Sequence, residues 1–322
     1  MLEITSSPET VLQPDEKIGW MSRSAAFQKV VQDKIFFCGE SLSGQWHIAV
    51  ADFDEGVPSE PRLVEIKSEW RFAETITPNA IKTSDGFVLA FAGRRASNES
   101  RRVFVARSST LDGPWEVEGR PYTPSEAWEG RNVDLGPGNM LENDSMMFFY
   151  SSAYPRFRQV ARSFLRRPHF PSEQNFMRYE KRRIGILKVS ANEPRVISGR
   201  REPIPLNCPP GTPFESVFCP GYTVLDKLHL FFMACSNYSM GYPFEQLIGV
   251  VESDSSPANW RTTQEIRAAI TSGDLPPPLS SHTAFDTPDP VPLGQDRVML
   301  YFSAMSRDLQ RWSIMACELK AT

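Results

Sequence analysis

Four carboxylates stand where a side chain could do acid–base work. They are Asp134 in RNVDLGPGN, Glu215 in GTPFESVFCPG, and Asp286 and Asp289 in SSHTAFDTPDP. A carboxyl group that loses water to apolar neighbours keeps its proton to higher pH, as a general acid requires. Glu215 lies close to Phe214 and Phe218 and suits that role, or it is a solvated loop carboxylate. Asp134 follows Arg131 and Asn132 and precedes a Gly-Pro-Gly turn, so it serves a site or caps that turn and pairs with Arg131. His282 shares its stretch with Asp286 and Asp289, whereas His47, His169 and His229 read as strand or loop residues. No GxGxxG, Walker loop, HExxH or GxSxG occurs, so nucleotide-binding and zinc-protease chemistry have no sequence support.

What must position these groups is a repeat. Five segments share one plan of short strand, tight turn with Asp, and strongly apolar strand: 30–41, 81–94, 140–153, 223–236 and 292–305. Their turn aspartates are Asp33, Asp85, Asp144, Asp226 and Asp296. A third strand follows in each unit (46–56, 102–115, 184–194, 247–260, 312–320), then an outer segment that carries Trp in several copies, at Trp70, Trp115 and Trp260. A four-stranded unit repeated five times predicts an all-β, five-bladed β-propeller of antiparallel blades, since one blade cannot bury both faces alone. A two-sheet sandwich is the competing arrangement, and it needs no such repetition. The whole chain, residues 1–322, reads as one propeller domain, with residues 1–20, and Leu2–Thr5 in particular, supplying the outer strand of blade 5.

Two segments depart from the plan. Residues 155–183 carry nine Lys and Arg against two Glu, interleaved with Phe157, Phe164, Phe170 and Phe176; they read as a partly helical lid on the rim, its guanidiniums suited to a substrate carboxylate or phosphate. Residues 262–273 place Thr262 and Glu265 at capping-box spacing and end on Gly273, which predicts a short surface helix.

Of the 322 residues 40% are hydrophobic and 23% charged, with a net charge of −4, which gives no reason to expect nucleic acid. The five cysteines form no CxxC pair, and three of them (Cys38, Cys235, Cys317) sit in apolar runs, so a reducing, cytoplasmic location without a zinc site is expected. The first residues lack a signal-peptide pattern, and no apolar run approaches a membrane span.

With the five blades, the turns ARSSTLDGPWEV and VESDSSPANW, and a proline near the start of most inner strands, the chain resembles the five-bladed propeller glycosidases, including glycoside hydrolase families 43, 32, 62 and 130. The resemblance implies an axial funnel in which three carboxylates from different blades face a sugar: an Asp base, an Asp that tunes ionisation, and a Glu acid. Glycosidic bonds need such a set, one carboxyl protonating the leaving oxygen while an ionised partner activates water or attacks. The catalytic Asp of that pattern directly precedes the proline. Here Thr77, Gly136, Cys219 and Asp289 precede Pro78, Pro137, Pro220 and Pro290, and blade 1 has Ser22-Arg23-Ser24-Ala25-Ala26 with no carboxylate.

The resulting expectation is a carbohydrate-active enzyme on a small sugar substrate, with Glu215 as acid, Asp134 as the supporting carboxylate and Asp289 as the blade-5 stand-in. Arg71, Glu74, Asn79, Arg131, Asn139 and Asp286 are expected to contact substrate. The chemistry requires no cofactor; the resemblance would add a central ion such as calcium, near His282. The alternative is a non-hydrolytic cyclase, lyase or isomerase, or a binding protein, acting on an anionic small molecule on the same propeller. It is favoured by the missing blade-1 base and the Arg-rich segment.

Overall fold

The computed structural model describes residues 2–130, 132–142, 145–153, 181–190, 196–199, 202–236, 246–275, 282–306 and 311–321. Five separate sheets follow one another along the chain. Their inner strands are Ser24–Val31, Glu74–Thr83, Val133–Glu142, Ser216–Leu225 and His282–Pro292. Each pairs antiparallel with the next strand in sequence, and that strand with a third. Every inner strand packs beside the next, and the fifth packs beside the first. The fold is a closed five-bladed β-propeller.

Packing explains why the ring closes. The apolar second strands (Lys34–Glu40 is buried along its whole length) present both faces to neighbours. The buried side chains fall into five clusters, one per interface between adjacent blades, whereas a sandwich would have one core. Phe36 of blade 1 meets Trp115 of blade 2 edge-on at 5.9 Å, and Phe149 of blade 3 meets Phe231 of blade 4 at 5.0 Å. Leu2–Ile4 pairs with Trp312–Ala321 at the outer edge of blade 5, and Glu9–Leu12 pairs with the same strand.

Residues 262–273 do not form the expected helix. Arg267–Ile270 is instead the outer strand of blade 4, paired with Gln246–Ser253, and a single 3-10 turn follows at Ser272–Asp274. The open edge of the third strand offers ladder hydrogen bonds that outweigh weak local helix signals. The capping box forms at Thr271 and Asp274 rather than at Thr262 and Glu265. The expected lid lies outside the described residues except for Lys181–Arg183.

Each inner strand carries a bulge at the same height, and that of blade 5 has a second irregularity between His282 and Ala284. Its first residue has a left-handed backbone in four blades: Phe27 (φ 58°), Thr77 (54°), Cys219 (46°) and Thr287 (49°). Blade 3 has Gly136 there. The next residue is Gln28, Pro78, Pro137, Pro220 or Pro288, which corrects the sequence alignment of blade 5: the counterpart of the other prolines is Pro288, not Pro290. Counting back from the turn aspartate misleads because the blade-5 hairpin has four connecting residues, 293–296, where blade 1, 2 and 4 hairpins have two.

The bulges crowd the axis. A Cβ on Gly136 would lie 2.0 Å from the Pro220 carbonyl oxygen, and one on Gly221 1.8 Å from that of Pro288. Gly221→Ala must therefore push two inner strands apart. It is expected to cost about 3 kcal/mol, read as a lower urea midpoint at unchanged slope.

Candidate active site

The bulges end above a cavity of about 150 Å³ on the propeller axis. Two layers of the repeat build its wall. The bulge layer contributes Phe27, Thr77, Cys219 and Asp286. The second layer is the residue that opens each third strand, or stands just before it: Trp46, Arg101, Arg182, Gln246 and Trp312. Blades 5 and 1 thus present an apolar wall (Phe27, Trp46, Met305, Trp312) interrupted by one carboxylate, Asp286, while blades 2 to 4 present most of the polar groups, Arg101, Asp134, Arg182, Ser216, Ser236 and Gln246, together with the apolar Ile76 and Phe218.

Asp134, two residues before its bulge, is the centre of a buried charge network. Arg101 Nη1 donates to Asp134 Oδ1 at 2.8 Å, and Arg182 Nη1 donates to Oδ2 at 2.7 Å. Arg101 Nε also donates to Glu74 Oε1 at 2.6 Å, and Arg94 pairs with the other Glu74 oxygen. Burial alone would push the Asp134 carboxyl up, but the two guanidiniums outweigh it and hold it below the usual carboxylate range.

Asp286 has the opposite environment. Burial pushes it up to about 6. Hydrogen bonds from Cys219 and Thr287 and the charge of Arg182 oppose the rise, while the negative charge of Asp134 adds to it. The Thr287 N–H donates to Asp286 Oδ1 at 2.7 Å and fixes the carboxyl plane. Burial also keeps the Cys219 thiol protonated, well above its ordinary range, so it is a donor here.

The remaining expected residues lie elsewhere. Glu215 does not line the cavity; its Oε2 accepts the Gly211 N–H at 2.8 Å, and its Oε1 stands 4.0 Å from Lys181 Nζ. Asp289 follows the bulge and is fully buried against blade 1, where it pairs with Lys29 Nζ at 2.9 Å and accepts the Val30 N–H at 2.7 Å. Asn79 donates to the Gly136 and Gly138 carbonyls at 2.7 and 3.0 Å, and Asn139 donates to Asn79 Oδ1 at 2.5 Å, so both sew blade 2 to blade 3. Glu74 is buried behind Arg101, and Arg71 is exposed. Arg131 and the His282 side chain lie outside the described residues. Among the described residues no cluster of three His, Cys, Asp or Glu is placed to hold a metal ion.

Gln246, Trp46 and Trp312 were not expected as site residues, and Arg182 was expected only as one of the guanidiniums of the 155–183 segment. The signal was present: WHIAVA, RRIGIL, QLIGVV and WSIMAC begin at one repeat position, and that position varies in chemistry while the strand behind it stays apolar.

No known family's sequence pattern matches the chain, and no curated protein matches its sequence. Solved structures do match its fold. A thermostable family-43 glycoside hydrolase superposes with a TM-score of 0.60 at 10% identity, covering 90% of this chain and 88% of that one. The chain has the fold of the five-bladed propeller glycoside hydrolases. The catalytic domain of the Coprinopsis cinerea GH62 α-L-arabinofuranosidase gives 0.55 at 8% identity, covering 97% of this chain and 95% of that domain. A protein of unknown function from Dyadobacter fermentans gives 0.53 at 13% identity over 100% and 99% of the two chains. Against the pattern of the propeller glycoside hydrolases, no blade of this chain has a carboxylate directly before its bulge proline, once Pro288 replaces Pro290 in the comparison. No helix among the described residues is long and apolar enough to cross a membrane.

Proposed function

We propose that the chain is a carbohydrate-active enzyme that works by carboxylate acid–base chemistry in the axial cavity. Asp286 is the group that carries the proton, and Asp134 is the permanently ionised partner. One observation carries the reading: two carboxylates contribute to one cavity, and their surroundings drive their ionisation apart, Asp134 downward and Asp286 up to about 6. Such divergence is how paired carboxyl groups acquire separate acid and base roles. Arg101 and Arg182 keep Asp134 ionised and occupy both its oxygens, so its part is electrostatic: its fixed charge helps Asp286 hold the proton.

A panel of aryl glycosides assayed from about pH 4 to about pH 8 tests this. The rate is expected to fall as pH rises through about 6, as Asp286 loses its proton. Glu215→Gln is expected to keep that profile, because Glu215 stands outside the cavity. A profile flat across that range, or one abolished by Glu215→Gln, would return the acid role to Glu215.

A second reading is favoured by Phe27. It occupies in blade 1 the bulge position that the glycosidase pattern gives to the base, so nothing there can activate water. The same proton-transferring pair then serves a lyase, cyclase or isomerase. Turnover in oxygen-18-labelled water separates the two, since only hydrolysis puts solvent oxygen into product.

A further inference from the structure

The wall from blades 5 and 1 is built around a strained phenylalanine. Phe27 has φ 58°, a backbone region that bulky side chains avoid. Three buried hydrogen bonds enforce it. Its N–H donates to Ser303 Oγ at 2.8 Å, Ser303 Oγ donates to Gln28 Oε1 at 2.8 Å, and Gln28 Nε2 donates to the Thr287 carbonyl at 2.5 Å. Strain maintained by its surroundings at a cavity is a pointer to use. What it achieves is placement: the Phe27 ring lies 5.0 Å from the Trp46 ring and 6.0 Å from the Trp312 ring, and all three line the cavity.

The wall from blades 2 to 4 carries most of the polar groups beside Ile76 and Phe218, and most of those polar groups are already engaged. Asp134 holds two arginines, Ser216 Oγ accepts the Arg182 N–H at 2.9 Å, and Gln246 Oε1 accepts the Phe285 N–H at 3.0 Å. Ser236 is the exception. It is 1% exposed, and its hydroxyl has no partner among the described residues. Buried hydroxyls are nearly always bonded, so an orphan in a cavity wall points to a missing ligand atom.

Size and polarity then define the occupant. An engineered apolar cavity of roughly 150 Å³ takes one benzene, and this cavity has that volume. A pyranose could lay a C–H face on these rings, but it carries hydroxyls around its whole rim, and the cavity's polar groups other than Ser236 and Asp286 are mostly engaged already, so most of those hydroxyls would lose water without replacement, which costs about 1–3 kcal/mol for each. A flat apolar ring with one polar edge loses nothing there.

We propose that the cavity binds a single aromatic ring with one hydroxyl, a phenol-like group of the substrate. Its face packs on Phe27, Trp46 and Trp312, and its hydroxyl is directed to Ser236 and Asp286. The inference rests on the axial cavity being the working site, and it names the part of the substrate that enters it.

Saturation-transfer NMR and calorimetry on the intact chain, with phenol, cyclohexanol and D-xylose as probes, test it. Phenol is expected to bind, cyclohexanol to bind less tightly, and xylose to give no signal at the same concentration. Phe27→Gly, which accepts the positive φ, and Trp312→Leu are each expected to weaken phenol binding by roughly three- to tenfold, the worth of an aromatic contact. Far-ultraviolet circular dichroism and melting temperature verify that each variant is folded. Absent phenol binding, xylose binding as tight as phenol, or folded variants of both kinds with unchanged phenol affinity would each overturn the proposal. Phenol binding does not depend on Asp286 transferring a proton, so failure of the acid–base reading leaves this measurement standing, and the reverse holds too.

Discussion

Asp286→Asn is expected to remove activity and, above about pH 6, to make the protein more stable. On the proposed function, the loss of rate follows from removing the group that carries the proton, an effect of about 100-fold or more. The gain in stability follows from linkage. The folded pKa of Asp286, about 6, lies above its ordinary value of 3.8. The folded state therefore binds this proton more tightly than the unfolded chain does. Its stability is greatest below about pH 4, falls as pH rises to about 6, and then levels off. Asparagine carries no charge at any of these pH values and can still accept the Thr287 N–H. The variant should match the wild type near pH 4 and exceed it near pH 7 by on the order of 1–3 kcal/mol. Urea unfolding at the two pH values measures the difference. Equal stability at both, together with undiminished turnover, would remove Asp286 from the mechanism.

Asp134→Asn should do the reverse. Arg101 and Arg182 converge on this carboxylate, and neutralising it leaves two buried guanidiniums facing each other across an amide. Breaking a buried ion pair on one side costs about 3–5 kcal/mol, or roughly 5–10 °C in melting temperature for a chain of this size. Here the folded pKa is depressed, so the stabilisation is present above the unfolded value, about 3.9, and is lost as pH falls through the folded one. The deficit of the variant should therefore be full at neutral pH and shrink in acid. Thermal melts across pH, with both variants side by side, give opposite curves if the two carboxylates are poised as the cavity indicates. Parallel curves would mean that their surroundings are alike.

The architecture was legible because blades repeat: five turn aspartates and five apolar second strands announce a ring, and the structure has it. The site was less legible for reasons that can be located. Asp134 and Asp286 stand out in the sequence as carboxylates near the axis, but their opposite ionisation depends on surroundings brought together only by the fold: Arg101 of blade 2 and Arg182 of blade 3 hold Asp134 down, while burial drives Asp286 up. Asp289 looked like the blade-5 counterpart because a longer hairpin shifted the count by two residues. Asn79 and Asn139 have the composition of sugar-binding residues, yet bind backbone and each other, a choice fixed by how closely Gly136 and Gly138 let the blades approach. The helix expected at 262–273 failed because a sheet edge claimed the segment.

Blade 5 is completed by strands from opposite ends of the sequence, Leu2–Ile4 against Trp312–Ala321. The seam is reinforced nearer the axis, where the Phe27 N–H reaches Ser303 across 276 residues of sequence and Lys29 meets Asp289. Contacts of such separation form late, because the entropy of closing so long a loop is lost before any of them can form. Blades 2 to 4 can assemble from neighbours in sequence, but until the seam zips, the aromatic wall of blades 5 and 1 does not exist. The cavity therefore closes only when the seam does. A chain arrested one step short would have nearly all of its sheet but an open axial cavity, walled by blades 2 to 4 alone.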